Sequence, residues 1–222
     1  MRRFLFPLVL GVVGVAVLTS LGFWQLRRME EKRLYLATIE ARIHNAPIPL
    51  PDLPTAELHK FQAVMVVGAF TGDYLEVLAG QRGSSPGVQI VEAFALPSGR
   101  RVLVERGFLA DADRATPRTT TKTTVEGHLH WPQETDAFTP PPDPQTGLWF
   151  ARDVPAMAAK LGTEPTLIVV SAPTGDGIAP TPVDTSDIPN NHWGYAIQWF
   201  LLAATWAGMT GLLLWRIRRP TV

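Results

Sequence analysis

Two long uncharged apolar runs bracket a chain that is otherwise cut into short mixed or alternating segments. The first extends from Phe4 to Leu26, is rich in Val and Leu, and has about the length needed to cross a ~30 Å hydrocarbon core. The second extends from Tyr195 to Trp215 and is closed by Arg216, Arg218 and Arg219. Backbone polar groups in lipid must be satisfied internally, so both runs are predicted to be transmembrane helices, over 4–26 and 195–215. Met1-Arg2-Arg3 also looks like the n-region of a cleaved signal peptide, the competing reading of the first run. The apolar stretch exceeds the usual ~7–15 residues of an h-region and no Ala-x-Ala site follows, which favours an uncleaved anchor.

The residues between the runs, 27–190, read as one domain with its own core. Arg27 to Ile43 lacks Gly and Pro and is rich in helix formers, so the first helix should continue out of the membrane for several turns. Pro47, Pro49, Pro51 and Pro54 then end it. Phe61–Phe70 and Tyr74–Gln81 read as strands joined by a turn at Thr71-Gly72-Asp73, with Gly83 closing the second. Val88–Leu96 and Arg101–Leu109 lie at hairpin distance across Pro97-Ser98-Gly99. In Thr123–Trp131 the residues Val125, Gly127, Leu129 and Trp131 face one way and Glu126, His128 and His130 the other. Thr166–Ser171 is a last strand. Val154–Leu161 reads as a short helix capped by Asp153, with Pro155 in its first turn. Thr139–Pro144 and Pro173–Pro189 are Pro-rich connectors. The fold class expected is a membrane-anchored α+β protein, two transmembrane helices flanking a small, mainly antiparallel β domain.

Two spans put both termini on one side of the membrane. Arg2, Arg3, Arg216, Arg218 and Arg219 mark that side as cytoplasmic. Arg27, Arg28, Lys32 and Arg33 oppose this, but the intervening region far exceeds the ~60 residues within which loop charge counts. Residues 27–190 are therefore expected in the periplasm. The apolar run starts at Phe4, which leaves no room for an organellar transit peptide and favours a bacterial plasma (inner) membrane. The 20 basic and 20 acidic residues balance, and no basic tract with interleaved aromatics points to nucleic acid. Cysteine is absent, which excludes disulfides, thiolate metal sites and a Cys nucleophile. No Gly-x-Ser-x-Gly, P-loop, Rossmann or His-Glu-x-x-His pattern occurs, and the carboxylates are scattered, so an enzyme is not expected.

Candidate chemistry concentrates where the hydrophilic region runs into the second apolar helix, at Asn190 to Phe200. Antiparallel spans bring their outer ends together, one carrying Gly22, Trp24, Gln25 and Arg28, the other His192, Tyr195 and Trp199. On a helix His192, Tyr195 or Ala196, and Trp199 share a face, as do Leu21, Gln25, Arg28 and Lys32 on the partner. The imidazole of His192 is a candidate metal or haem-iron ligand. Gln25 or Asn191 would fix its second nitrogen, Arg28 would pair with a propionate, and Trp24 and Trp199 would stack on a macrocycle. The bland alternative is an aromatic belt at the membrane interface with a solvated histidine. Elsewhere His128 and His130 read as solvent-facing strand residues, and His44 and His59 as loop residues. Arg106-Gly107 reads as a strand-end anchor with a bend, with contact to a propionate or a protein partner as the other reading. Gly208, Gly211, Ala204 and Ala207, and Gly11 and Gly14 on the first span, offer small-residue surfaces for close helix packing.

Three of these segments resemble the signatures of the surfeit locus protein one (Surf-one) family of cytochrome c oxidase assembly proteins. They are Leu21-Gly22-Phe23-Trp24-Gln25-Leu26-x-Arg28 followed by Lys32, then Val102-Leu103-Val104-Glu105-Arg106-Gly107-Phe108, then Asn191-His192-x-x-Tyr195-Ala196-x-x-Trp199-Phe200-x-Leu202-Ala203. They occur in family order, and with the two-anchor layout the resemblance covers nearly the whole chain. Glu31 stands where the family usually has an aromatic, and Phe108 where it usually has Trp. The resemblance implies a non-catalytic assembly factor that promotes insertion of haem a into the catalytic subunit of haem–copper cytochrome c oxidase, with His192 implicated as the haem ligand. Haem a would be held transiently, with Trp24, Gln25, Arg28, Asn191, Tyr195 and Trp199 around it. The implied partners are the oxidase catalytic subunit, its assembly intermediates and the lipid bilayer, with haem A synthase as a further one. A scaffold that stabilises an oxidase assembly intermediate without touching haem is the alternative.

Overall fold

The structure is a computed structural model in which residues 2–79, 86–120, 122–185 and 190–219 are described. The predicted strand end at Gln81 with its turn at Gly83, and the last residues of the Pro173–Pro189 connector, lie outside them. In chain order the elements are α1 (Arg2–Ile43), β1 (Ile48–Pro49), α2 (Ala56–His59), β2 (Ala63–Leu78), β3 (Gly87–Ala95), β4 (Arg101–Ala110), β5 (Lys122–His130), α3 (Val154–Leu161), β6 (Leu167–Val170) and α4 (His192–Arg218). They form two compact units, Met1–Thr38 with Thr185–Val222, and Ile39–Asp184.

The first unit is a pair of apolar helices, each long enough to cross a membrane. Glycines on α1 set their approach. A Cβ at Gly11 would lie 2.2 Å from Thr210 Cγ2, one at Gly14 2.2 Å from Trp206 Nε1, and one at Gly22 2.6 Å from Phe200. The Phe23 and Phe200 rings meet edge to face at 5.4 Å. On α4 the packed face carries the buried Ala196 and Ala203. The other small-residue surface turns away, since Gly208 and Gly211 have open space beside them and Ala204 and Ala207 are exposed. Close packing therefore uses the predicted Gly11 and Gly14 but a different pair of alanines on α4.

The second unit is a six-stranded sheet in the order β1-β2-β3-β4-β6-β5, and β2 also pairs with β5. Five strands, β2, β3, β4, β6 and β5, thus close into a ring. The sheet is mixed rather than purely antiparallel: four of its six pairings are antiparallel, as expected, while β4–β6 and β1–β2 are parallel. Ring closure gives the reason: with an odd number of strands, directions cannot alternate all the way round, so at least one neighbouring pair must be parallel. The inside is filled by Val64, Val66, Phe94, Val104, Leu129 and Ile168. On the outside, α3 packs Val154, Met157 and Ala158 on Leu103, Leu167 and Val169. That helix begins as its sequence predicts, with Asp153 Oδ1 accepting from the Ala156 N–H at 3.0 Å, and ends at Gly162 in the left-handed region.

Strand β2 replaces two predicted strands and the turn between them. Its first half, Ala63–Ala69, pairs with β5, and its second, through Leu78, with β3. Thr71-Gly72-Asp73 is a bulge between Phe70 and Tyr74, with Gly72 at φ 85° and its N–H donated to Glu92 Oε1 at 3.1 Å. The bulge bends the strand so that one element serves two sides of the ring.

Two buried charge networks cross this unit. Arg106 and Glu92 are both 0 % exposed. Arg106 Nη1 meets Glu92 at 2.8 Å, Nη2 meets Asp176 at 2.8 Å, Nε donates to Thr174 Oγ1 at 2.9 Å, and the guanidinium stacks 4.3 Å over Phe70. Complete burial excludes the reading in which Arg106 contacts a propionate or a protein partner. Gly107 does bend the strand, at φ 119°, and a Cβ there would lie 2.1 Å from Ala179 O. In the second network Arg152 bridges buried Glu105, at 2.9 Å, and Glu134. Burial pushes the Glu105 carboxyl above its ordinary range against the pull of Arg152.

His128 and His130 are not solvent-facing. His128 is buried, and its Nε2 donates to Ile43 O at 3.0 Å, a carbonyl of the last turn of α1. Ile39 is buried in the same unit and Arg42 Nη1 donates to Lys60 O at 3.2 Å. The end of α1 therefore covers a strand face whose polar residues read as solvated. His130 is tilted against the Phe61 ring at 5.4 Å. Burial, helped by Arg152 and Lys60 and opposed by Glu134, lowers its pKa to about 4.

Gly107→Ala should destabilise this unit by about 3 kcal/mol or more, through both the positive φ and the collision with Ala179, read as a thermal melt of the detergent-purified protein. Arg106→Met should cost roughly 3–5 kcal/mol because it takes the guanidinium away from Glu92 and Asp176, and adding Glu92→Leu should recover part of the loss. For His130 the folded pKa of about 4 lies below the ordinary 6.5, so its share of the stability is present above pH 6.5 and is lost as pH falls towards 4. His130→Gln should flatten stability over that window, a difference of roughly 2 kcal/mol between the two proteins in urea melts at pH 7 and pH 4.

Candidate functional site

Helix α4 starts at His192, with Asn191 in the cap position and no side-chain cap bond. Its first turn closes through the Tyr195 N–H to Asn191 O, at 3.4 Å. Two side chains that are small or missing, Gly22 on α1 and buried Ala196 on α4, let the helices approach beside this turn. The approach sets Gln25 Oε1 2.8 Å from His192 Nδ1.

This bond fixes the chemistry of the ring. An amide oxygen only accepts, so Nδ1 carries the proton, and in the neutral ring the lone pair then falls on Nε2. His192 is half-buried, and Nε2 makes no hydrogen bond to a described residue. A neutral imidazole, oriented by a second group and presenting an unprotonated nitrogen, is the form that ligates a metal.

The other predicted residues are placed less closely together. Of the two amides proposed to hold His192, Gln25 does so, while Asn191 is exposed. Trp24 is 55 % and Tyr195 53 % exposed, and Trp199 is half-buried. Ala196 rather than Tyr195 shares the packed face with His192, which leaves the Tyr195 ring free at the surface. Arg28 is exposed and pairs with Glu31 at 3.0 Å. A shallow hollow of about 500 Å3 beside the start of α4 is lined by Asn190, Asn191, Trp193, Gly194, Tyr195 and Gln198. Trp193 and Gln198 were not singled out by sequence reasoning, although the aromatic and amide framing of His192 was the signal that contained them.

Known proteins bear on this arrangement. Residues 12–204 match the SURF1 family, a stretch that takes in both Gln25 and His192. The chain belongs to the SURF1 family. It is 31% identical over 216 residues to a SURF1-like protein of Monosiga brevicollis, covering 87% of this chain and 82% of that one. It is 30% identical over 213 residues to Surfeit locus protein 1 of Xenopus tropicalis, covering 83% and 68%. A SURF1-like protein of Rickettsia felis is 26% identical over 205 residues, covering 86% and 89%. SURF1 relatives therefore occur in bacteria as well as in animals.

The tautomer is directly measurable. In protein labelled with 15N-histidine, His192 should show a protonated Nδ1 and an unprotonated Nε2, and Gln25→Leu should abolish that preference without unfolding the protein.

Proposed function

We propose that this SURF1 family protein is a non-catalytic, membrane-anchored assembly factor for haem–copper cytochrome c oxidase. It holds haem a transiently through His192 at the outer membrane boundary and promotes its insertion into the oxidase catalytic subunit. The observation that carries this reading is the bond from His192 Nδ1 to Gln25 on the other helix, which leaves Nε2 available to iron. Helices over 4–26 and 195–215 span a bacterial inner membrane, residues 27–190 form the periplasmic domain, and both termini lie in the cytoplasm.

The residues present suit such a group. Bound haem would supply an iron, and His192 would be the side chain that holds it. Trp24, Tyr195 and Trp199 offer aromatic surface, and Asn191 a nearby amide. Among the described residues Arg28 is held by an exposed pair with Glu31, worth about 0–1 kcal/mol, so it is available to a propionate at little cost. A single protein ligand gives weaker retention than two, as transfer to an acceptor requires. The partners are then the catalytic subunit and its assembly intermediates, with haem A synthase as the donor side.

A second reading, a scaffold that never touches haem, is favoured by one feature of the β unit, which exposes Phe138 at 90 % on its surface. The visible spectrum separates the two. Protein purified in detergent from cells that make haem A should carry a haem a band that His192→Ala removes or shifts. Equal haem in both proteins would take His192 out of the site, and no haem in either would favour the scaffold.

A further inference from the structure

A groove runs between α1 and α4 below the His192 boundary. Its upper hollow, about 510 Å3, is lined by residues that include Val13, Val17, Leu202 and Met209. Its lower hollow, about 410 Å3, continues to Phe6 and Arg216. Leu10, Trp206 and Met209 border both, so the two form one channel with Trp206 lying across it. Gly11 and Gly14 mark its floor, where Thr210 and Trp206 of α4 pack directly against the α1 backbone. The upper hollow is apolar throughout. Its one hydroxyl, Thr205 Oγ1, is already donated to Leu201 O at 2.9 Å.

The groove and the candidate site lie on one face. Along α4 His192, Trp199 and Trp206 recur every seven residues, with Leu202 and Met209 beside them, which keeps these residues on one side of the helix. On α1 Trp24, Leu21, Val17 and Leu10 continue the other wall in the same way. Leu202 lies ten residues after His192, roughly 15 Å along the helix axis. The channel from Leu202 to Arg216 extends roughly a further 21 Å.

We propose that this groove receives the farnesyl-derived isoprenoid tail of haem a, so that the helix pair selects tail-bearing haems over haem b. The inference rests on the haem reading of His192. The tail is a flexible isoprenoid chain, apolar beyond the hydroxyl at its attachment to the macrocycle edge, and it needs an apolar track that starts beyond that edge. The upper hollow meets this requirement, and the polar groups of the lower one, Thr210 and Arg216, come only after it. An acyl chain of a phospholipid shares the apolar chemistry but brings no reason for the track to start at the His192 face.

The test uses the full-length protein in detergent, titrated separately with haem a, haem o and haem b, with Kd read from the Soret band. Haem o carries the tail without the formyl group, and haem b carries neither. The wild type should bind haem a and haem o about tenfold tighter than haem b. Val13→Phe and Val17→Phe, both on the exposed groove wall, should reduce haem a and haem o to the haem b level and leave haem b unchanged. Val12→Phe, exposed but outside the groove, should change nothing. Equal wild-type affinity for all three haems, with binding still dependent on His192, would overturn the tail site and spare the ligand. So would a loss of co-purified phospholipid in Val13→Phe with the haem preference intact. Failure to bind any haem would remove both readings.

Discussion

The β unit of this SURF1 protein is organised around one guanidinium. Arg106 is withdrawn from water completely, and a buried cation is tolerable only if its hydrogen-bonding edge is met by fixed acceptors. Those acceptors come from separate parts of the chain: Glu92 on β3, and Thr174 and Asp176 on the segment after β6. Phe70 of β2 closes the remaining face of the group. Glu92 in turn accepts from Gly72 and so holds the bulge of β2. Asp176, itself at φ 57°, also accepts from the Thr119 N–H and hydroxyl, which ties down the loop before β5. These bonds bring Asp176 below the ordinary carboxylate range although burial alone would raise it. The ring of strands is consequently cross-linked at the point where β2 changes partners.

Much of this was legible where the deciding physics is local. The Asp153 cap, the Pro97-Ser98-Gly99 hairpin and the helix running on from Arg27 to Ile43 depend on neighbours within a few residues. The misreadings share a cause. Thr71-Gly72-Asp73 has turn-forming residues, yet Glu92, twenty residues on, takes the Gly72 N–H and keeps the backbone in the strand. His128 and His130 alternate as solvent-facing residues do, but the end of α1, Phe61 and Arg152 cover them. The reading of Arg106 as a hydrogen-bonded strand anchor holds, but its burial was not visible because its partners at 92 and 176 are remote in sequence. The parallel β4–β6 pair follows from ring closure, which no local pattern encodes.

The candidate site was legible in part for a different reason. Two apolar runs joined as antiparallel spans must bring Gln25 and His192 to the same level, whatever the domain between them does. What the helical wheel left open was rotation. Gly22 and Phe200 settle it by turning Ala196 inward and Tyr195 outward, and Glu31 engages Arg28.

The double role of β2 also governs the order in which the chain can fold. Its first half presents Met65 and Val67, both exposed, along an edge that only Lys122 onward can pair. During synthesis from the N-terminus that edge stays open while β3, β4 and the loop before β5 are added. Closure is a late, non-local step of high contact order, slow relative to hairpin formation. Until then the nascent domain carries an unsatisfied strand, the species most prone to pairing with another chain.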